Sequence, residues 1–259
     1  MENYNYFVLL MVFLSSILAG FVDSIVGGGG LITVPTLMLL NLPPKLVLGT
    51  NKFQSTFGSC TAAFYYLKYK LANWKDAKWG IVFTAIGATS GTFLVRFISN
   101  DFLANIMPFF LILMACYMLV SKKLGVVEKK ARLGIITTFV ILGLSIGFYD
   151  GFFGPGTGNF WAIGLIILLG MNLKKATAYT KIMNFTSNLV ALIIFASSGL
   201  VLYKLGLIMG IGQFIGARLG AKVVIKSKAE FIRPIFITMV FLISIYLVYK
   251  QFFPLYRLL

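Results

Sequence analysis

Gly20-Phe21-Val22-Asp23-Ser24-Ile25-Val26-Gly27-Gly28-Gly29-Gly30 is echoed, 127 residues later, by Gly147-Phe148-Tyr149-Asp150-Gly151-Phe152-Phe153-Gly154-Pro155-Gly156-Thr157. Gly, Phe, Asp, Gly and Gly recur at one constant offset. Both stretches interrupt apolar sequence. In hydrocarbon, a carboxylate and a run of glycines are costly unless protein or a water-filled cavity surrounds them. A duplicated membrane protein with a broken helix in each half is the common plan of secondary transporters, so the expectation from this motif is transport.

The rest of the chain agrees with a membrane setting. Of 259 residues, 59% are hydrophobic and 12% charged, with a mean hydropathy of +0.93, far from soluble averages. Apolar segments fall at 6–22, 31–42, 47–67, 79–98 and 103–121, and again at 133–153, 160–171, 176–196, 200–223 and 231–253. The pattern predicts an all-α polytopic protein with a first repeat over 1–121, a linker over 122–132 and a second repeat over 133–259. The second segment of each set has about 12 residues, roughly 18 Å as a helix, too short for a core of about 30 Å. Each is therefore expected to be a half-helix or part of a re-entrant hairpin, accompanied by three full transmembrane helices. The first segment has no Lys or Arg before it and so lacks a signal peptide's basic flank; it is expected to be retained.

Further matches extend the duplication: Lys52 with Lys181, Gly87-xxx-Gly91 with Gly212-xxx-Gly216, and Met107-Pro108 with Arg233-Pro234. The small-xxx-small pairs are expected at close helix contacts. Charge predicts how the repeats are related. Lys68, Lys70, Lys75 and Lys78 follow the third segment, whereas its counterpart is followed by Lys204 alone. After the fourth segments the bias reverses, with Arg96 against Arg218, Lys222, Lys226, Lys228 and Arg233. Under the positive-inside rule equivalent loops lie on opposite sides, so the repeats are expected to be inverted. The same rule puts Lys122, Lys123, Lys129, Lys130 and Arg132 in the cytoplasm and both termini outside.

The net charge of +16 is distributed among short loops between apolar segments and does not imply nucleic acid; the expected partners are the lipid bilayer and a small anion. Cys60 and Cys116 fall within apolar segments, which argues against a disulfide or metal site. The chain has no histidine, removing Ser–His dyads and the usual metal sets, and no two carboxylates share a segment at helical spacing. Neither an enzyme nor a cofactor is expected.

Candidate site residues lie in the third segments and the glycine runs. Lys52, Ser55 and Ser59 occupy one helical face, and Lys181, Asn184 and Asn188 occupy the corresponding face of the second repeat. Thr50, Asn51, Gln54, Thr180 and Ser187 extend the polarity. Such a stripe belongs in the bundle interior, where a lysine beside hydroxyls and amides offers charge and donors to an anion; lysine snorkelling and interhelical hydrogen bonding are the structural alternatives. Gly28, Gly29 and Gly30, and Gly156, Thr157 and Gly158, precede the two short segments, so backbone N–H groups there could receive an anion. Asp23 and Asp150 have two readings: coupling residues that bind a proton or cation, or structural groups that cap a half-helix or neutralise a lysine.

Gly20 to Gly30 together with Leu48-Gly49-Thr50-Asn51-Lys52, and Gly147 through Gly158, resemble the paired signatures of the sulfite exporter TauE/SafE family, also called the 4-toluene sulfonate uptake permease family. Ala178-Tyr179-Thr180-Lys181 stands where many members read Gly-Thr-x-Lys, with the lysine in place. The resemblance implies a bacterial inner-membrane transporter of sulfite, sulfonates or other small sulfur-containing or organic anions. Alternating access is the expected mechanism, coupled to protons through Asp23 and Asp150; an anion channel and a non-transporting membrane scaffold or assembly protein are the alternatives.

Overall fold

The computed structural model describes residues 4–120 and 127–227. Nine helices form among them: α1 (Tyr6–Val26), α2 (Gly30–Met38), α3 (Pro44–Lys68), α4 (Trp74–Phe97), α5 (Asn100–Val120), α6 (Ile135–Phe152), α7 (Thr157–Leu169), α8 (Leu173–Ser197) and α9 (Tyr203–Lys226). These match nine of the ten apolar segments read from the sequence. The tenth segment, at 231–253, lies outside the described residues, as do Lys122, Lys123, Lys228, Arg233 and Pro234.

Short α2 and α7, of 9 and 13 residues, are about 14 and 20 Å long. Among the described residues, five helices have the length and apolarity to cross a membrane: α1, α4, α6, α8 and α9. With 25 residues α3 also has the length, but the polar run from Thr50 to Ser59 lowers its hydropathy. The chain is therefore a multi-pass membrane protein.

Apolar and polar groups are distributed accordingly. Leu10, Leu14 and Leu18 form an exposed row on α1, and Val82, Ile86 and Phe93 one on α4. In contrast, Asn51, Lys52, Gln54, Lys181, Asn184, Ser187 and Asn188 are all buried. The polar stripes of α3 and α8 therefore face inward, where one can satisfy another.

The close contacts fix the directions of the helices. Along α1, Phe13, Ile17 and Phe21 meet Gly212, Gly216 and Gly220 of α9 in rising order. Phe53 and Phe57 of α3 likewise meet Gly206 and Gly210 of α9. Since α1 and α3 both run parallel to α9, the segment from α2 to Pro43 returns the chain. In a second contact between the halves, Gly143, Gly147 and Gly151 of α6 rise along Phe83, Thr84 and Ala88 of α4. Thr50 near the start of α3 bonds the backbone N–H of Leu202 just past α8, while Asn73 after α3 bonds Tyr179 near the start of α8. These two helices, matched in the sequence, run in opposite directions.

Glycine packing bears out the expected close contacts, with a one-turn correction to the match between halves. A Cβ at Gly87 would fall 2.6 Å from Leu144 O. Gly216 meets Ile17 and Phe21, which the glycine motif equates with Leu144 and Phe148, so the counterpart of Gly87 is Gly216 rather than Gly212. That spacing equals the one separating Lys52 from Lys181. It also relates two lysines that the sequence reading passed over. Lys45 Nζ donates to Arg96 O at the end of α4 (2.9 Å), and Lys174 Nζ donates to Ile225 O at the end of α9 (2.6 Å), where ammonium groups satisfy terminal carbonyls and the helix dipole.

A side chain at these crossings must displace backbone. Gly147→Leu, placed 2.8 Å from Thr84 O at its Cβ alone, is expected to destabilise the fold by at least about 1–3 kcal/mol. Thermal unfolding in detergent checks this, with the exposed Ile141→Leu as a neutral control.

Candidate functional site

The two glycine breaks meet at the centre of the molecule. Gly27, at φ 87°, ends α1, and Gly156, at φ 83°, precedes α7; both lie in the left-handed region that glycine occupies without penalty. Gly27 abuts Gly158 backbone to backbone, and Gly30 packs on Pro155. Around this crossing Asp23, Gly27, Gly30, Asn51, Lys52, Ser55, Asp150, Gly154, Gly156, Thr157, Gly158, Asn184 and Asn188 line a cavity of about 20 Å³. That is room for roughly one water molecule.

Charge at the site is paired crosswise. Lys52 of the first half donates to Asp150 of the second, Nζ to Oδ1 at 2.6 Å, and also to the Asp150 main-chain oxygen at 2.5 Å. Lys181 of the second half donates to Asp23 of the first, Nζ to Oδ2 at 2.9 Å. In apolar surroundings a lone ammonium is strongly disfavoured, and a hydrogen-bonded carboxylate is the usual remedy. Local geometry makes each pair reachable. A Cβ at Gly154, whose φ is 96°, would sit 2.8 Å from Lys52 Nζ, and one at Gly29 would sit 2.7 Å from Asp23 Cβ. Glycine in the first case lets the lysine through; in the second it lets Asp23 fold back onto the Gly29 N–H (3.2 Å).

The pairs differ in their surroundings. Asp150 also accepts from Ser187 Oγ, and its side chain is 4% exposed. The Asp23 side chain is 19% exposed. Asn51 ties α2 to α3, accepting from Thr33 Oγ1 (2.6 Å) and Gln54 Nε2 (2.8 Å), and Gln54 also donates to Ser55 Oγ (2.9 Å). Asn184 Oδ1 is buried without a hydrogen-bond partner.

Of the residues nominated from sequence, the structure brings Asp23, Gly30, Lys52, Ser55, Asp150, Gly156, Thr157, Gly158, Asn184 and Asn188 to one cavity. Gly28, Gly29, Ser59 and Lys181 are not among its lining. Ser59 Oγ donates to Ser55 O of its own helix (2.7 Å), and Lys181 stands behind Asp23. Nor are the N–H groups at the starts of α2 and α7 all open: Leu31 N donates to Gly28 O and Ile32 N to Gly29 O, both at 3.0 Å, and Thr157 N donates to Gly154 O at 3.1 Å and Asn159 N to Gly156 O at 3.0 Å, because each short helix opens in a tight turn. Thr33 was missed; its signal was a hydroxyl one turn inside the first short segment.

A helical bundle with an apolar exterior, two broken helices and a polar centre is the architecture of a membrane transporter. The profile of the family described as "Sulfite exporter TauE/SafE" matches residues 12–247. A relative from Haemophilus influenzae named "Probable membrane transporter protein" is 39% identical, across 94% of this chain and 95% of its own. "Probable membrane transporter protein YfcA" of Escherichia coli K12 is also 39% identical, across 93% and 90%. "Probable membrane transporter protein ORF9" of Sinorhizobium sp is 38% identical, across 98% of both. No solved structure matches the chain. The chain belongs to the TauE/SafE family and is a membrane transporter.

Removing one carboxylate strands a buried lysine, so Asp150→Asn is expected to cost about 3–5 kcal/mol. Replacing both partners, as Lys52→Met with Asp150→Leu, is expected to recover most of that stability, since apolar groups of similar volume need no counter-charge. Chemical denaturation in detergent compares the two.

Proposed function

We propose that the protein moves a small sulfur-containing or organic anion, of the sulfite or sulfonate type, across a bacterial inner membrane by alternating access, with proton coupling through a carboxylate of the central site. The observation that carries this reading is the convergence of Lys52, Ser55, Asn184, Asn188 and the glycine-led start of α7 on one cavity. Lysine, amides and a helix N-terminus are the donor set an anion needs. Lys181 belongs to the same site through Asp23. The descriptor "sulfite exporter" attached to the family supports the substrate class.

The repeats, over 1–121 and 133–259 with the linker 122–132 in the cytoplasm, are inverted and both termini are periplasmic. The opposite directions of α3 and α8, and the return of the chain after α1 and α6, support the inversion. A cavity of about 20 Å³ is too narrow for a sulfonate, so the halves must part for substrate to enter. That need favours alternating access over a standing anion channel or a scaffold.

Uptake of radiolabelled sulfite and methanesulfonate into proteoliposomes tests the reading. Wild type is expected to show saturable uptake, and Lys52→Ala/Lys181→Ala to lose roughly 30-fold or more of it while remaining monodisperse in detergent, the consequence of deleting buried charge partners. Wild-type liposomes that take up neither anion under either direction of proton gradient would remove these substrates. Undiminished uptake by the double variant would remove the site.

A further inference from the structure

The two lysine–carboxylate pairs are equivalent in sequence but not in structure. At Asp150 both oxygens are committed, Oδ1 to Lys52 and Oδ2 to Ser187. Lys52 is also held by the Asp150 main-chain oxygen, so this pair has three ties and a carboxylate that is nearly sealed. At Asp23, Oδ2 takes Lys181 and Oδ1 takes a 3.2 Å bond from the Gly29 N–H. About a fifth of this side chain is open, and it lines the cavity. Lys181 behind it is 0% exposed, and among the described residues Asp23 is the carboxylate within ion-pair distance of it.

The charged and titratable groups around Asp23 can be named element by element. Lys181 faces it from α8, and Lys52 and Asp150 share its cavity from α3 and α6. The Tyr66 hydroxyl of α3 bonds the adjacent Ser24 carbonyl at 2.7 Å. From α2 the neutral Gly29 N–H reaches it, α7 adds the neutral Thr157 to the cavity wall, and α9 meets this part of α1 at Gly216 and Gly220, with its Arg218 and Lys222 exposed.

Of the two carboxylates, which share one cavity, Asp23 is the more exposed, 19% against 4%. Neutralising Asp23 leaves Lys181 a buried cation without a counter-charge, a state strongly disfavoured in a low-dielectric interior. An anion in the cavity, taking the place of the Asp23 carboxylate beside Lys181, restores neutrality. Proton and anion thus promote one another's binding, and linkage makes that promotion reciprocal.

Resting on the anion-transport reading, we propose that Asp23 is the proton-carrying group of the cycle, that Lys181 is the anion ligand it uncovers, and that Lys52–Asp150 is a fixed tie between the halves that keeps its bonds through the cycle. One proton then accompanies each anion bound at Lys181. For a monovalent anion the movement is electroneutral.

The test uses full-length protein in proteoliposomes with labelled methanesulfonate, a permanent monovalent anion, at an inward gradient of one pH unit. Wild type is expected to concentrate it about tenfold, the ratio for one proton per anion, independent of a potential set with valinomycin and potassium. It is also expected to acidify a pyranine-loaded lumen when the anion is added. Asp23→Asn is expected to slow exchange of labelled for unlabelled anion without abolishing it while its accumulation ratio falls to about one, since a permanently neutral side chain has no proton to carry. Asp23→Glu is expected to restore accumulation, which separates loss of the proton from loss of the fold. Asp150→Asn is expected to lose exchange and accumulation together. Tenfold accumulation by Asp23→Asn, or wild-type transport without proton entry, overturns the assignment while leaving the transport reading intact. Absence of methanesulfonate exchange in wild type overturns both.

Discussion

The constraint on which the rest depends is the burial of two ammonium groups in a protein surrounded by hydrocarbon. Lys52 and Lys181 are 1% and 0% exposed, and neither could remain charged there alone. Each is neutralised by an aspartate of the other half, so the halves are tied by interactions that neither could complete by itself. A buried ion pair adds little net stability relative to apolar packing. What the two pairs do is hold charge compensated between the halves, Lys52 against Asp150 and Lys181 against Asp23.

Glycine is what allows these groups to meet. Gly27 and Gly158 touch backbone to backbone, and Gly154 leaves the opening through which Lys52 reaches Asp150. The helices around the site are packed equally closely, with α1 along α9 and α4 along α6 meeting at glycines rather than at side chains. A membrane-embedded bundle cannot rely on the hydrophobic effect to hold its helices together, since lipid is as apolar as leucine; close backbone approach supplies dispersion contact instead. Contacts of this kind are made between helices of different halves.

Polarity is arranged inside out relative to a soluble protein. Leucine and isoleucine rows face outward on α1 and α4, and amides, hydroxyls and ion pairs occupy the interior. Around α2 and α3, Thr33, Asn51, Gln54 and Ser55 are joined by hydrogen bonds, while the side-chain oxygens of Gln54 and of Asn184, the latter on the cavity wall, lack partners. An amide oxygen left open beside a cavity is a place where a water or another hydrogen-bond donor can be received.

Much of this was legible in the one-dimensional pattern because hydropathy and helix length are local quantities. The apolar segments, the two short helices, the inward stripes of α3 and α8 and the duplication of the Asp–glycine motif all follow from residue order and the thickness of a bilayer. What the order of residues left open was every relation across the halves. Asp23 and Asp150 each had two readings, and only the three-dimensional arrangement joined Lys52 to Asp150 and Lys181 to Asp23, at sequence separations that no periodicity reports. The one-turn register of Gly87 against Gly216 and the diversion of Ser59 to its own helix were likewise decided by tertiary packing, whereas the inequality of the two carboxylates also has a cause in residue order, since Ser187, which bonds Asp150, is matched in the first half by Gly58. Matching sequence sets which groups are present in both halves. Which oxygen each donor reaches, and which carboxylate stays open to water, depend on how the halves meet.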